Sequence, residues 1–134
     1  MLSKPFLLSW GAYVVLTFVL GAIWHLKTFK PVYDRLAIYS RLDDPIIPLG
    51  LLSMVIQGAI LAYLYPHLAG GGGVVAEGLR FGLLMGLFLA SAAVFAEAAK
   101  QRVTSLSTWL ALETTYYAIQ FGLIGVVIAR IYQS

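Results

Sequence analysis

The chain has 134 residues, 60% of them hydrophobic and 11% charged, with a formal net charge of +3 and no cysteine. A soluble domain carries about 25% charged residues, so a chain this poor in charge is solvated mainly by lipid. The missing cysteines exclude disulfides, thiolate catalysis and Cys-ligated metals, and the small positive charge is no nucleic-acid footprint, because basic residues in a membrane protein set orientation first.

Four apolar stretches follow one another at 6–26, 46–65, 78–96 and 106–129. Each is close to the ~20 residues that a helix needs to cross a ~30 Å hydrocarbon core. The expected fold is therefore all-α: one transmembrane domain over 1–134, an integral membrane bundle of four helices. The connections are too short for a soluble catalytic domain. The first stretch is too long for the apolar part of a cleavable signal and has no small-residue cleavage pattern, so it reads as a retained helix. It leaves the bilayer through Trp24 and His25, with Thr17 and Gly21 extending the His25 face. A lone histidine there reads as an interfacial anchor.

The first connection, 27–45, places Phe29, Val32, Tyr33, Leu36, Ala37 and Tyr39 at roughly helical spacing, with Lys30, Asp34, Arg35 and Arg41 between them. That pattern predicts a short helix lying in the membrane interface, with an ordered loop as the alternative. Asp44 as N-cap and Pro45 in the first helical position mark the start of the second span, which carries Gln57 near mid-membrane. Pro66 and the glycines at 70–73 then read as a flexible turn. No Gly-Lys-Ser/Thr follows, so nothing supports a nucleotide loop. His67 lies on the opposite side of the membrane from His25, so the two cannot share a metal, and no metal site is expected.

The third stretch repeats Gly78, Gly82, Gly86 and Ala90 every four residues, a small-residue face that lets another helix backbone approach closely. Glu97 ends that face and Lys100 sits one turn on, which suggests a solvated helix end; turned inward, Glu97 would lie about one turn in depth from Glu113. In the fourth stretch, at ~100° per residue, Trp109, Glu113, Tyr116, Tyr117, Gln120 and Ile124 share one sector. Ala111, Thr115, Ala118, Gly122, Gly125 and Ala129 fall opposite. Two packed faces suggest the helix's own bundle on one side and another subunit on the other, with Ala118 and Gly122 among the packing residues.

Glu113 lies ~10 Å below the membrane boundary at 1.5 Å per residue. A charge at the membrane centre costs ~2.5–3.5 kcal/mol on insertion scales, so the group needs a partner or a proton. It reads either as a proton-carrying or cation-binding carboxyl, or as a buried acid satisfied by Tyr116, Tyr117 and Gln120. Gln57 and Gln120 both fall near mid-membrane, where an amide bond between helices is worth ~0.6 kcal/mol. Six basic residues lie in the first and third connections against three on the other side. The positive-inside rule then places both termini outside the cytoplasm. Trp10, Tyr63, Tyr65 and Tyr132 flank one interface, Trp24 and Trp109 the other, as an aromatic belt.

The run Gly21-Ala22-Ile23-Trp24-His25 with Phe29 and Tyr33, then Pro48-Leu49-Gly50-Leu51-Leu52 in a four-helix layout, resembles small bacterial four-helix integral membrane families of unknown function. The resemblance implies a prokaryotic inner-membrane protein and carries over no catalytic residue. The first span lacks the mid-helix glutamate of small multidrug exporters, and the signatures of fluoride channels and thiol-based quinone reductases are absent.

Three functions are consistent with this pattern. The first is a non-catalytic accessory subunit of a membrane complex or a homo-oligomeric scaffold, its partners being lipid, other membrane subunits or copies of itself, and not nucleic acid. The second is a small oligomeric transporter or channel using Glu113 as a proton or cation site, with Tyr116, Tyr117, Gln120 and Gln57 lining the path. The third is a binder of a lipid-soluble cofactor, a bound lipid or quinone, on the aromatic Glu113 face. No nucleophile–base pair supports enzyme chemistry, and the residues call for no other cofactor.

Overall fold

Serine caps start the helices at both ends of the chain. Ser3 accepts the Phe6 N–H at 3.3 Å ahead of Pro5, and Ser105 accepts the Thr108 N–H at 3.4 Å, each satisfying a donor that the first helical turn leaves free. The computed structural model describes residues 2–134, and among them there is no strand. The helices are α1 (Lys4–Ile23), α2 (Lys30–Leu36), α3 (Ile47–Leu68), α4 (Val74–Ala90), α5 (Glu97–Lys100) and α6 (Leu106–Tyr132). Widened π-turns at Trp24–Thr28 and Ser91–Ala96 extend α1 and α4. Four helical segments are long and apolar enough to cross a bilayer: Lys4–Thr28, Ile47–Leu68, Val74–Lys100 and Leu106–Tyr132.

The spans outrun the apolar stretches at several ends, for identifiable reasons. α3 starts at Ile47 with Pro48 in its first turn, not at Pro45. A helix begun at Pro45 would need the Pro48 nitrogen as a donor to residue 44, and proline has no N–H. At its other end α3 runs through Pro66 to Leu68. The Ala62 carbonyl that Pro66 cannot bond accepts the Tyr132 hydroxyl at 2.5 Å, so α6 repairs the gap in α3.

α6 is the central helix: 44% of its most apolar window is buried inside the chain, against 17% for the first and second spans. Its small face meets the glycine row of α4. Gly78, Gly82, Gly86 and Ala90 are all buried there. A Cβ on Gly86 would lie 2.7 Å from the Phe121 Cβ, and one on Gly82 would run into the Phe121 carbonyl. Gly125 is just as tight, 2.7 Å from the Gly82 Cα if given a Cβ. Gly122 is buried at the edge of this seam, while Ala118 is exposed and takes no part. The two-faced character of α6 is thus met within one chain over its second half: α4 covers Gly122, Gly125 and Ala129, and α1 covers the opposite side.

α1 is polar inward and apolar outward. Its buried residues are Ser9, Tyr13 and Thr17, four apart on one face, whereas Leu8, Val15 and Val19 face the lipid side. α3 docks on that helix where Gly58 lets the Tyr13 and Trp10 rings in, and the Trp10 indole donates to the Val55 carbonyl at 2.8 Å. Its buried residues, Gly58, Leu61, Ala62 and Tyr65, all fall in its second half. The first half buries none, and only its end, from Met54 to Gln57, touches the bundle.

The connections are ordered by polar contacts. The helix expected in the first connection exists as α2. It turns Tyr33 and Leu36 into a core with Ala90, Val94 and Trp109, and its last carbonyls are capped by Thr104 from the α5–α6 connection: Oγ1 to Arg35 O at 2.7 Å and N–H to Leu36 O at 3.2 Å. Trp109 accordingly leaves the aromatic belt. It is fully buried, and its indole donates to the Val94 carbonyl at 3.1 Å. The glycines at 70–73 form no slack spacer either. Gly70 N–H and Arg80 Nη2 donate to the Glu77 carboxylate at 2.7 and 2.9 Å, and a Cβ on Gly72 would stand 3.0 Å from Glu77 Oε1. The turn is wrapped around that carboxylate.

Candidate functional site

Beside the exposed first turns of α3, a cleft of about 370 Å³ lies between α1, α3 and α6. Phe18, Ala22, Leu51, Met54 and Leu89 give it apolar walls, and Gly50 lines it without filling it. At its inner edge are His25, Tyr39, Glu113, Tyr116, Tyr117 and Gln120, with Gln57 and Ser53 facing them from α3. No lysine or arginine lines it.

Glu113 is the centre of this cluster. The π-turn that widens α1 at Trp24–Thr28 holds His25, which meets Glu113 with Nε2 3.0 Å from Oε1. π-turns of this kind recur at functional sites. From α2 the Tyr33 hydroxyl donates to the same oxygen, and it accepts in turn from the Trp24 indole at 2.9 Å. The Tyr39 hydroxyl approaches Oε2 at 3.4 Å. Burial first, and the adjacent Glu113 second, hold the Tyr33 hydroxyl well above the ordinary phenol range, so it remains a proton donor. The His25 side chain is 18% exposed and that of Glu113 is 3% exposed, so the imidazole is the member of the pair nearer open space.

Hydrogen-bond roles fix the proton count. His25 Nδ1 lies 3.1 Å from the Gly21 carbonyl, which only accepts, so Nδ1 carries hydrogen. Nε2 and Oε1 then face each other with one proton between them, either on an imidazolium beside a carboxylate or on a carboxylic acid beside a neutral imidazole. Both arrangements have the same net charge. Removing that proton would set two lone pairs against each other in a site where an unmatched charge is costly.

Deeper in, Tyr13 takes the place expected for a direct Gln57–Gln120 bond. Its hydroxyl donates to Gln57 Oε1 at 2.6 Å, and Gln120 Nε2 reaches it at 3.5 Å and Thr17 Oγ1 at 3.4 Å. The two amides do not touch because a tyrosine ring fits between the helices and brings its own hydroxyl. The Tyr116 and Tyr117 hydroxyls make no hydrogen bond among the described residues, although both side chains line the cleft.

Glu113, Tyr116, Tyr117, Gln120, Gln57 and His25 all line one cleft, and His25, which reads in sequence as an interfacial anchor, meets Glu113 there. Glu97 does not join them. It pairs with Lys100 at 3.5 Å and accepts from Gln101 at 3.2 Å near the helix end. Tyr33, Tyr39 and Trp24 escaped the sequence reading, as did the His25–Glu113 pairing. The spacing of Trp24, His25, Tyr33 and Tyr39 around a single exit turn was the available signal. No group of three or more His, Asp or Glu residues able to hold a metal occurs among the described residues. Comparison with protein-family models, curated proteins and solved structures finds no match for this chain.

Proposed function

We propose that this chain is an inner-membrane protein that binds a small lipid-soluble organic molecule in the cleft between α1, α3 and α6, with the polar end of the ligand held at His25, Glu113 and Tyr39. The observation carrying this reading is a cleft with apolar walls and a single buried polar cluster at its inner edge, the usual build of a small-molecule site. The positive-inside rule puts the first connection in the cytoplasm, so the cleft opens in the cytoplasmic half of the bilayer. Carriage of the ligand across the membrane is the transporter form of the same reading, since Gln57, Tyr116, Tyr117 and Gln120 continue the polar lining inward. The accessory-subunit or scaffold reading draws on the small face of α6 over its first half, where Ala111, Thr115 and Ala118 stay exposed.

Calorimetric titration of the purified protein in maltoside micelles tests the proposal with a panel of small aromatic probes differing in head group. Saturable one-site binding of at least one probe is expected. Gly50→Trp, which fills open space in the cleft, should weaken it at least tenfold, and Phe88→Trp on the lipid-facing surface should leave it unchanged. Non-saturable partitioning, identical in both variants and the parent, would overturn the reading.

A further inference from the structure

The cleft's chemistry narrows the ligand further, on the premise that the cleft is a ligand site. We infer that the ligand is a lipophilic organic cation, a hydrophobic amine or quaternary ammonium, and that it binds in exchange for the proton shared by His25 and Glu113.

Charge comes first. The lining contains one carboxyl and no lysine or arginine. The only positive charge the site itself supplies is the single proton between Nε2 and Oε1. An anionic head would find no fixed counter-charge and would face the carboxyl, so it is disfavoured. A cationic head finds the carboxylate. Oε2 is the less occupied oxygen, with only the long 3.4 Å approach of Tyr39, while Oε1 is already shared by His25 and Tyr33.

The walls supply the second argument. Tyr39, Tyr116 and Tyr117 line the cleft around that carboxyl with Phe18 and Phe121 farther along. The Tyr116 ring already stands edge-on to His25 at 4.6 Å. Aromatic faces around a carboxylate attract ammonium groups, most strongly where water is excluded.

The proton balance follows. In the empty site one proton is held between imidazole and carboxyl. When the cation arrives, that proton passes from Nε2 or Oε1 to bulk water through the cleft mouth. His25 becomes neutral and keeps its Nδ1–H on Gly21, and Glu113 stays as the carboxylate that faces the cation. One positive charge enters and one leaves. The other titratable groups facing the pair are Tyr33 of α2, Tyr39 of the first connection, and Tyr116 and Tyr117 of α6, all neutral donors; α3 offers only Ser53 and Gln57, and α4 only Leu89.

Benzyltrimethylammonium and its uncharged carbon isostere neopentylbenzene test this directly, with the neutral ketone pivalophenone as a carbonyl-headed control. Each is titrated into the purified protein in micelles, with binding read by calorimetry and protons by a pH dye in weak buffer. The cation should bind at least tenfold tighter than either neutral probe and release one proton per ligand. Because one proton leaves for each cation bound, its dissociation constant should fall as the pH rises, by up to about tenfold per pH unit. Glu113→Gln should abolish both the charge preference and the proton release, and the parent-protein measurements stand alone if that variant does not fold. Equal affinity for cation and isostere, or cation binding without proton release, overturns the exchange. If a neutral probe then binds in a manner sensitive to Gly50→Trp, the ligand-site reading survives without it; if no probe binds, both readings fall.

Discussion

The two halves of this bundle use close packing in opposite ways. Toward the chain termini, α4 and α6 meet backbone to backbone, and the Gly82 position has no room for even a methyl group beside Phe121. Toward the first connection, the first turns of α3 stay exposed, and its Gly50 position has open space around it. The tight half holds the helices together where lipid supplies no hydrophobic drive for helix association. The open half keeps a carboxyl, an imidazole and several hydroxyls beside an apolar space. The rigid seam allows the other end to remain unfilled.

Substitutions in the two halves should separate these roles, measured as unfolding free energy in mixed micelles. The largest expected effect is at Glu113. Glu113→Leu leaves His25 and Tyr33 facing an apolar group in a buried site and should destabilise the protein by about 3–5 kcal/mol, the usual penalty for breaking a buried pair. A loss below about 1 kcal/mol would mean that the polar cluster rearranges freely. Next comes the seam. Gly82→Ala should cost about 1–3 kcal/mol by overpacking against backbone. Gly122→Ala, whose added methyl would sit 3.6 Å from Leu79 Cδ2, should stay within about 0.5 kcal/mol. Equal losses at the two positions would erase the distinction between tight seam and edge.

Smaller effects sharpen the loop end. Ala37 caps α2 in the left-handed region at φ 59°. Ala37→Gly should therefore stabilise by about 0.5–1 kcal/mol through relief of the Cβ clash, and a loss would show that backbone entropy outweighs that strain. Glu97→Gln should change neither stability nor ligand binding, because its pairing with Lys100 lies near the exposed helix end. A binding defect there would bring Glu97 back into the site.

Much of this arrangement is legible from residue order. Apolar length sets the number of spans. The four-residue glycine row shows in the spacing alone, because a helix returns a residue to the same face nearly every turn. Angular position on α6 groups Glu113 with Tyr116, Tyr117 and Gln120, and depth adds Gln57. Within a helix, side-chain direction follows from periodicity alone, which is why those assignments reached the cleft. The partner of Glu113 was not legible. His25 lies 88 positions away in sequence, and the π-turn that carries it breaks the regular periodicity of α1. Tyr33 has the pattern of one more residue on an interfacial helix, and only the inward fold of α2 against Val94 and Trp109 brings it to the carboxyl.

Order along the chain, then, determined an all-helical protein with four helices long and apolar enough to span a membrane, the glycine face of α4 and the place of Glu113 along α6, since these depend on composition and on the helical repeat. The tertiary structure decided that α4 and α1 cover the two faces of α6 over its second half, that a cleft stays open between α1, α3 and α6, and that His25 meets Glu113. Those outcomes depend on how helices dock. Docking is set by shape complementarity and hydrogen bonds between residues far apart in sequence, which no local pattern encodes.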